Sequence, residues 1–260
     1  MIPTTFVVQT HNLWGDAWAE ERADALRRLY AARPPDLLAT QELRPWSRDA
    51  LDAAMPDHDR VHDDFRGWQL QSNLWWRRDL FTEIAHGAED VGILDEAARL
   101  FWVRLDCADG GGTVLLSTAH LSYAGTAIEM ETGVNQRVPQ AQRIIRELAR
   151  IAGEGEPVLF TVDINDIGVP LWTFGNGGYL DAFSALGRHC PPTHPVIPSG
   201  FADTVGTSKS PVASPPKAID WIYFRGPVRP RLAEVVEFFH RGVAPSDHAP
   251  VAAAFSRDPQ

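Results

Sequence analysis

Apolar residues in this chain come in short blocks that repeatedly run out into polar or acidic ones. Phe6-Val7-Val8 predicts a strand that turns polar over Gln9, Thr10, His11 and Asn12. Asp16 then offers a helix cap, and Ala19, Ala23, Leu26 and Tyr30 mark one face of the helix that follows, which Pro34-Pro35 stops. Residues 36–40 form a second apolar block, read as a buried strand, and it finishes at Gln41-Glu42. Strand, helix, strand in this order is how a layered α/β protein presents itself in sequence.

The middle of the chain is less regular. Residues 69–77, 81–86 and 100–106 read as antiparallel strands, joined by acidic and glycine-rich connections. Residues 113–121 alternate, so that Val114, Leu116, Thr118 and His120 share a face. Helical spacing returns with Val138, Ala141, Ile145, Leu148 and Ala152, and Gly153 and Gly155 end it. Residues 158–162 are another buried strand that turns polar at Asp163 and Asn165. The proline-rich run 187–217 has no periodicity, and its place between polar strand ends predicts a substrate-facing loop. Residues 219–224, 232–239 and 249–255 supply the last strands. Without a repeat or a linker, the expectation is one domain over residues 1–260.

Composition narrows the function classes. The net charge is −10, and only Lys209 and Lys217 among the 24 basic residues are lysines. Non-specific nucleic-acid binding draws mainly on basic groups that displace counterions, so a general nucleic-acid surface is disfavoured. Two cysteines, Cys107 and Cys190, are too few for a disulfide scaffold or a cysteine zinc site. The first dozen residues lack a basic start followed by a long apolar core, and no run is long enough to span a membrane; the expected compartment is the cytoplasm.

The candidate chemistry lies where apolar strands end. Glu42 closes one, and hard cations want carboxylate oxygens on rigid supports. Asp163 and Asn165, two apart on an extended segment, point the same way, a carboxylate beside an amide. Asp220 begins an apolar strand, where an acid needs a partner, and His248 of Ser246-Asp247-His248 is the natural one. His120 offers a second imidazole. Trp75, Trp76 and Trp102 read as core, and Arg22, Arg27/Arg28 and Arg77/Arg78 as solvated faces. Trp14, Trp18, Trp172 and Phe174 suit a pocket wall and a core equally well.

Six segments in order carry a resemblance: Thr10-His11-Asn12-Leu13-Trp14-Gly15, Thr40-Gln41-Glu42, Thr118-Ala119-His120-Leu121, Val162-Asp163-Ile164-Asn165, Ala218-Ile219-Asp220-Trp221-Ile222-Tyr223 and Ser246-Asp247-His248. Together they resemble the endonuclease/exonuclease/phosphatase superfamily of Mg²⁺-dependent phosphoesterases. The resemblance implies an α/β (α+β) fold, a four-layer α-β-β-α sandwich with its site at one edge of two packed sheets. It also implies roles. Glu42 is the principal metal ligand, Asn12 helps place metal and phosphate, and Asp247 completes the acidic cluster. Asp163 orients or deprotonates water, Asn165 stabilises the developing phosphate charge, His248 held by Asp220 is an acid/base or phosphate-polarising group, and His120 donates to a non-bridging oxygen. The implied cofactor is Mg²⁺, and Mn²⁺ suits the same oxygen donors. Two departures stand out. Val162 replaces the family's glycine, which predicts a narrowed or reshaped pocket, and Trp14 stands where abasic-site endonucleases carry an acid.

Three functions remain open at this point. A hydrolase of a small phosphorylated metabolite or lipid head group, mono- or diester, fits the acidic surface. A DNA or RNA nuclease would need basic residues at the site, with Arg66, Arg99, Arg137 and Arg188 as the candidates. A non-catalytic phosphate-binding module is the third reading.

Overall fold

Residues 37–41 show how the strands of this protein are used. Leu37 and Ala39 join a buried cluster with Val103, Leu105, Val114 and Leu116, while Leu38 joins Leu26, Leu29 and Leu51 on the other side. Successive side chains of a strand point to opposite faces, so a strand apolar throughout must be covered twice. The computed structural model, which describes residues 5–196 and 215–257, meets that demand with two packed sheets, each covered by helices on its outer face.

The elements run β1 (Thr5–Asn12), α1 (Ala19–Ala32), β2 (Leu37–Gln41), α2 (Pro45–Ala54), β3 (His58–Arg60), α3 (Gly67–Leu70), β4 (Leu74–Arg77), β5 (Phe81–Glu89), β6 (Leu100–Cys107), β7 (Thr113–His120), α4 (Ala127–Thr132), α5 (Arg137–Ile151), β8 (Val158–Asp163), α6 (Val169–Asn176), β9 (Leu180–Asp181), α7 (Ala182–Ala185), β10 (Asp220–Arg225), β11 (Val228–Val235) and β12 (Val251–Arg257). The first sheet has the order β11-β12-β1-β2-β4-β3 and the second β5-β6-β7-β8-β10-β9. The four-layer α-β-β-α sandwich expected from the resemblance is the fold observed.

Each sheet contains one parallel pair, β1/β2 and β7/β8, and the other pairings are antiparallel. That arrangement decides where the polar strand ends go. Asn12 pairs with Gln41 and His120 with Asp163, so four C-terminal ends reach one edge of the sandwich. Strand β10 runs antiparallel to β8 with Asp220 opposite Asp163, and so begins at the same edge. Strand β12 runs antiparallel to β1, pairing Val251 with Thr10, which delivers Ser246-Asp247-His248 beside Asn12.

Several expectations need correcting. Residues 69–73 are not strand, because α3 and a turn occupy them; the strand begins at Leu74. The final two strands are shifted, to 228–235 and 251–257. Trp18, not Asp16, holds the N-cap position of α1, and Asp16 pairs with Arg44 instead. Arg22 is fully buried rather than solvated, on a face shared with Ala25, Leu26, Leu29 and Tyr30. Of the predicted loop 187–217, residues 197–214 lie outside the described residues.

Candidate active site

Asn12 is the hub of the cluster at this edge. Its amide oxygen accepts the Trp14 N–H at 2.9 Å, which fixes the orientation of the amide. Its nitrogen then donates to Glu42 Oε1 at 3.1 Å and Asp163 Oδ2 at 2.8 Å, clamping two carboxylates from different sheets. Asn12 therefore meets this centre through its nitrogen, and serving as an oxygen ligand would require the amide to turn over. Asp163 is buried, and its second oxygen accepts the Asn165 N–H at 3.0 Å.

The backbone is bent sharply around these groups. Trp14, Glu42 and Asn165 have φ of 58°, 52° and 51°, and Gly15 has 50°. Left-handed backbone costs a non-glycine residue about 1–3 kcal/mol and persists where its surroundings hold it. Here Glu42 and Asn165 reach across to the neighbouring strand ends, at Asn12 and at His120. Val162, by contrast, is buried with Phe160 and Ile164 under the outer helices. It faces away from the site, so the expected narrowing of the pocket by a missing glycine does not arise.

The histidines divide into two settings. Asp220 Oδ2 lies 2.9 Å from His248 Nδ1, which leaves Nε2 facing Asp163 Oδ2 at 3.9 Å and Asp247 Oδ1 at 4.0 Å. Burial pushes the pKa of His248 down, but Asp220, and after it Asp163 and Asp247, outweigh this and raise it to about 10. Asp247 is opposed by the same burial, yet bonding to His194 and the charge of His248 hold its carboxyl below the usual range. His120 Nε2 is 2.9 Å from the Asn165 side-chain nitrogen, which also donates to Leu121 O at 2.9 Å. Both N–H groups of Asn165 are thereby used, and His120 Nε2 acts as an acceptor. A phosphate oxygen would have to displace that link before either residue could donate to it.

Two residues that sequence reasoning passed over complete the site. Thr193 Oγ1 donates to Asp220 Oδ2 at 2.5 Å and accepts the N–H groups of Ile219 and Asp220. His194 lies against His248 with ring centroids 4.5 Å apart, and its Nε2 is 3.5 Å from Asp247 Oδ2. Both sit in the proline-rich run, where no period marks one residue above another. Arg22 braces the edge from behind. Its guanidinium donates to the carbonyls of Leu13, Ala17 and Pro245, tying the turn after β1 to the segment before β12. Burial lowers its pKa to about 10, so it stays charged at neutral pH.

These groups open onto a cleft of about 690 Å³. Among the described residues its lining includes four carboxylates, Glu42, Asp95, Asp163 and Asp247, and a single arginine, Arg44. Arg66, Arg99, Arg137 and Arg188 are not among the lining residues; Arg137 is internally paired with Glu129 and Asp166. Of the aromatic candidates, Trp14 lines the cleft, Phe174 is core and Trp172 is exposed and not among the lining residues.

The sequence matches the Endonuclease/Exonuclease/phosphatase family over residues 10–248. The chain belongs to this family. It is a phosphoesterase-type enzyme, and its relatives in this family generally use divalent metals. No curated protein matches the sequence. Solved structures share the fold. An endonuclease/exonuclease/phosphatase family protein from Bacteroides vulgatus is 18% identical, with TM-score 0.78, covering 98% of this chain and 100% of that one. D. rerio TDP2 complexed with a single-strand DNA product is 19% identical, with TM-score 0.75 and 97% and 99% covered. A mannosyl-6-phosphatase from Bacteroides thetaiotaomicron is 17% identical, with TM-score 0.75 and 96% and 99% covered.

The donor set of this family member fits a hard divalent cation. Among the described residues, the basic side chains within ion-pair distance of Glu42, Asp163 and Asp247 are His120, His194 and His248, with no lysine or arginine. Carboxylates gathered this closely need positive charge, and oxygen donors on rigid strand ends suit Mg²⁺ or Mn²⁺.

Proposed function

We propose that the protein is a divalent-metal-dependent hydrolase of small phosphate esters, mono- or diester, in which water attacks phosphorus. The observation that carries this reading is the cleft itself, with four carboxylates, three histidines and one arginine converging at the shared edge of two sheets. Glu42, with Asp247, would hold Mg²⁺ or Mn²⁺, which supplies charge neutralisation to the phosphate under attack.

The chain's own groups divide the remaining work. Asp163, held at both oxygens by Asn12 and by the Asn165 N–H, is placed to orient a water and take its proton. His248, charged at neutral pH and fixed by Asp220, offers its Nε2 proton to a phosphate oxygen or to the leaving alkoxide. A cation among the same carboxylates would offset part of their field and lower the His248 pKa. His120 and Asn165 form the third side of the phosphate site.

The substrate proposed is a phosphorylated metabolite or a lipid head group. One arginine among the described lining residues is a poor match to a nucleic-acid backbone. A nuclease is the alternative, favoured by the likeness in fold to D. rerio TDP2 with its DNA product. The test is a hydrolysis panel with Mg²⁺ and with chelator: p-nitrophenyl phosphate, bis(p-nitrophenyl) phosphate, a hexose phosphate and plasmid DNA. Metal-dependent release from small esters with intact plasmid is expected. Plasmid nicking with inert small esters would select the nuclease reading.

A further inference from the structure

Residues 120–122 and 163–168 leave the second sheet side by side, because β7 and β8 are a parallel pair whose register closes on His120 opposite Asp163. The contact between His120 Nε2 and the Asn165 side chain spans these two loops. Backbone pairing follows them only a little further, through the Leu121 N–H and Asp163 O at 2.9 Å. Asn165 also has a left-handed φ of 51°, a conformation that persists where its surroundings enforce it. Where the His120–Asn165 pair sits is therefore set by more than the strands.

Arg137, the first residue of α5, reaches both loops from behind the cleft. It is buried and is not among the residues lining the cleft. Its Nη1 donates to Ser122 O at 3.2 Å, two residues beyond His120. Its Nε donates to Asp166 Oδ2 at 2.8 Å, one residue beyond Asn165. One planar group thus joins the two loops. Glu129 of α4 aims the guanidinium in turn, accepting from Nη1 at 3.0 Å and Nη2 at 2.6 Å in a forked pair. Asp166 is oriented at both oxygens: Asn135 donates to Oδ2 at 2.7 Å and the Gly168 N–H to Oδ1 at 2.8 Å. Gln140, one turn along α5, accepts the Ser122 N–H at 3.2 Å and donates to the Ser122 hydroxyl at 2.8 Å.

We propose that Arg137 is a positioning residue for the phosphate site, holding His120 and Asn165 in the paired arrangement that a phosphate oxygen enters. The proposal rests on the phosphoester reading above and adds the residue that fixes the third side of its site. Charges buried together contribute little net stability, so defined geometry is what this cluster supplies. The place calls for arginine. Lysine keeps the charge, but its single nitrogen cannot serve Ser122 O, Asp166 and both oxygens of Glu129 in one plane. Asparagine at position 166 is equally unsuited. Donors approach both oxygens of Asp166, and an amide nitrogen would face one of them.

The experiment uses the whole protein as wild type, Arg137→Lys, Asp166→Asn, Asn165→Ala and the double variant Arg137→Lys/Asn165→Ala. Circular dichroism verifies folding, and Asp166→Asn carries the test if Arg137→Lys does not fold. Two readouts are taken: bis(p-nitrophenyl) phosphate hydrolysis across a Mg²⁺ titration, and solvent exchange of the Asn165 side-chain amide protons by NMR. In Arg137→Lys and Asp166→Asn, kcat should fall at least ~10-fold with the Mg²⁺ activation constant unchanged, the signature of a misplaced group on the phosphate side. Amide exchange should quicken at least ~10-fold in the same variants. Once Asn165 is truncated, Arg137→Lys should lower kcat no further, because residues acting as a unit are not additive. A full additional loss in the double variant, a parallel rise in the Mg²⁺ requirement, or amide exchange as slow as in wild type would each overturn the proposal. A wild-type protein that leaves the ester intact while exchange quickens in the variants would count against the phosphoester reading alone, because the Arg137 link to Asn165 is read separately.

Discussion

Thr193 shows how much a single neutral side chain can decide at this edge. Its hydroxyl satisfies one oxygen of Asp220 and two backbone N–H groups, all buried. Thr193→Val keeps the shape and removes all three bonds. Buried polar groups left unpaired cost about 1–3 kcal/mol each, so a loss of about 2 kcal/mol or more in unfolding free energy is expected, together with lower turnover through a loosened Asp220–His248 pair. Urea unfolding and kcat would be measured on one preparation; an unchanged midpoint would mean that the hydroxyl is not holding Asp220. His11 gives a second residue-level prediction. It is fully buried, one ring nitrogen has no partner, and burial with the nearby charge of His248 lowers its pKa to about 3. The unfolded chain binds a proton below about pH 6.5 that the folded protein refuses until about pH 3. Stability should therefore fall as pH drops through this window, by at most about 1.4 kcal/mol per pH unit from this group. His11→Gln should show a shallower slope between pH 7 and pH 5; identical slopes would exclude His11 as a source of acid sensitivity.

Among the elements, the parallel pairs β1/β2 and β7/β8 were the most legible, because apolar strands ending in Asn12, Glu42, His120 and Asp163 are explicit in the residue order. Helix α2 was not. It is ten residues long, starts on Pro45 and buries only Ser47, Ala50 and Leu51, too few positions to declare a period. Arg22 misled for a different reason. Charge predicts solvent only when nothing inside needs donors, and here five carbonyl groups of the surrounding turns do. His194 and Thr193 were invisible because their roles depend on contacts with Asp247 and Asp220, which only the folded chain creates. Glu156 makes a testable case of the same kind. It joins Arg104 of β6, Thr113 of β7 and the Gly153 N–H after α5. Glu156→Ala should cost about 2–3 kcal/mol, less than a fully buried ion pair because Arg104 is partly open to solvent. A denaturation midpoint equal to wild type would show that this junction does not stabilise the second sheet.

At the scale of the whole molecule, two strand–helix–strand units in separate sheets bring their polar ends to one edge, and β10 and β12 return to the same edge from the opposite direction. Neither sheet alone assembles the cluster: Asn12 and Glu42 come from one, His120 and Asp163 from the other. The charge of the site follows from that convergence, as carboxylates from both sheets meet, with histidines and no lysine or arginine within ion-pair distance among the described residues. Activity should therefore depend on an added cation and on the integrity of the sandwich together. The most direct measurement is the rate of bis(p-nitrophenyl) phosphate and p-nitrophenyl phosphate hydrolysis across a Mg²⁺ titration, for wild type, Glu42→Ala and Asp163→Ala. Saturable activation abolished by chelator is expected, with a raised metal requirement in Glu42→Ala and turnover at least ~10²-fold lower in folded Asp163→Ala. Hydrolysis indifferent to chelator, or wild-type rates in both variants, would contradict the account.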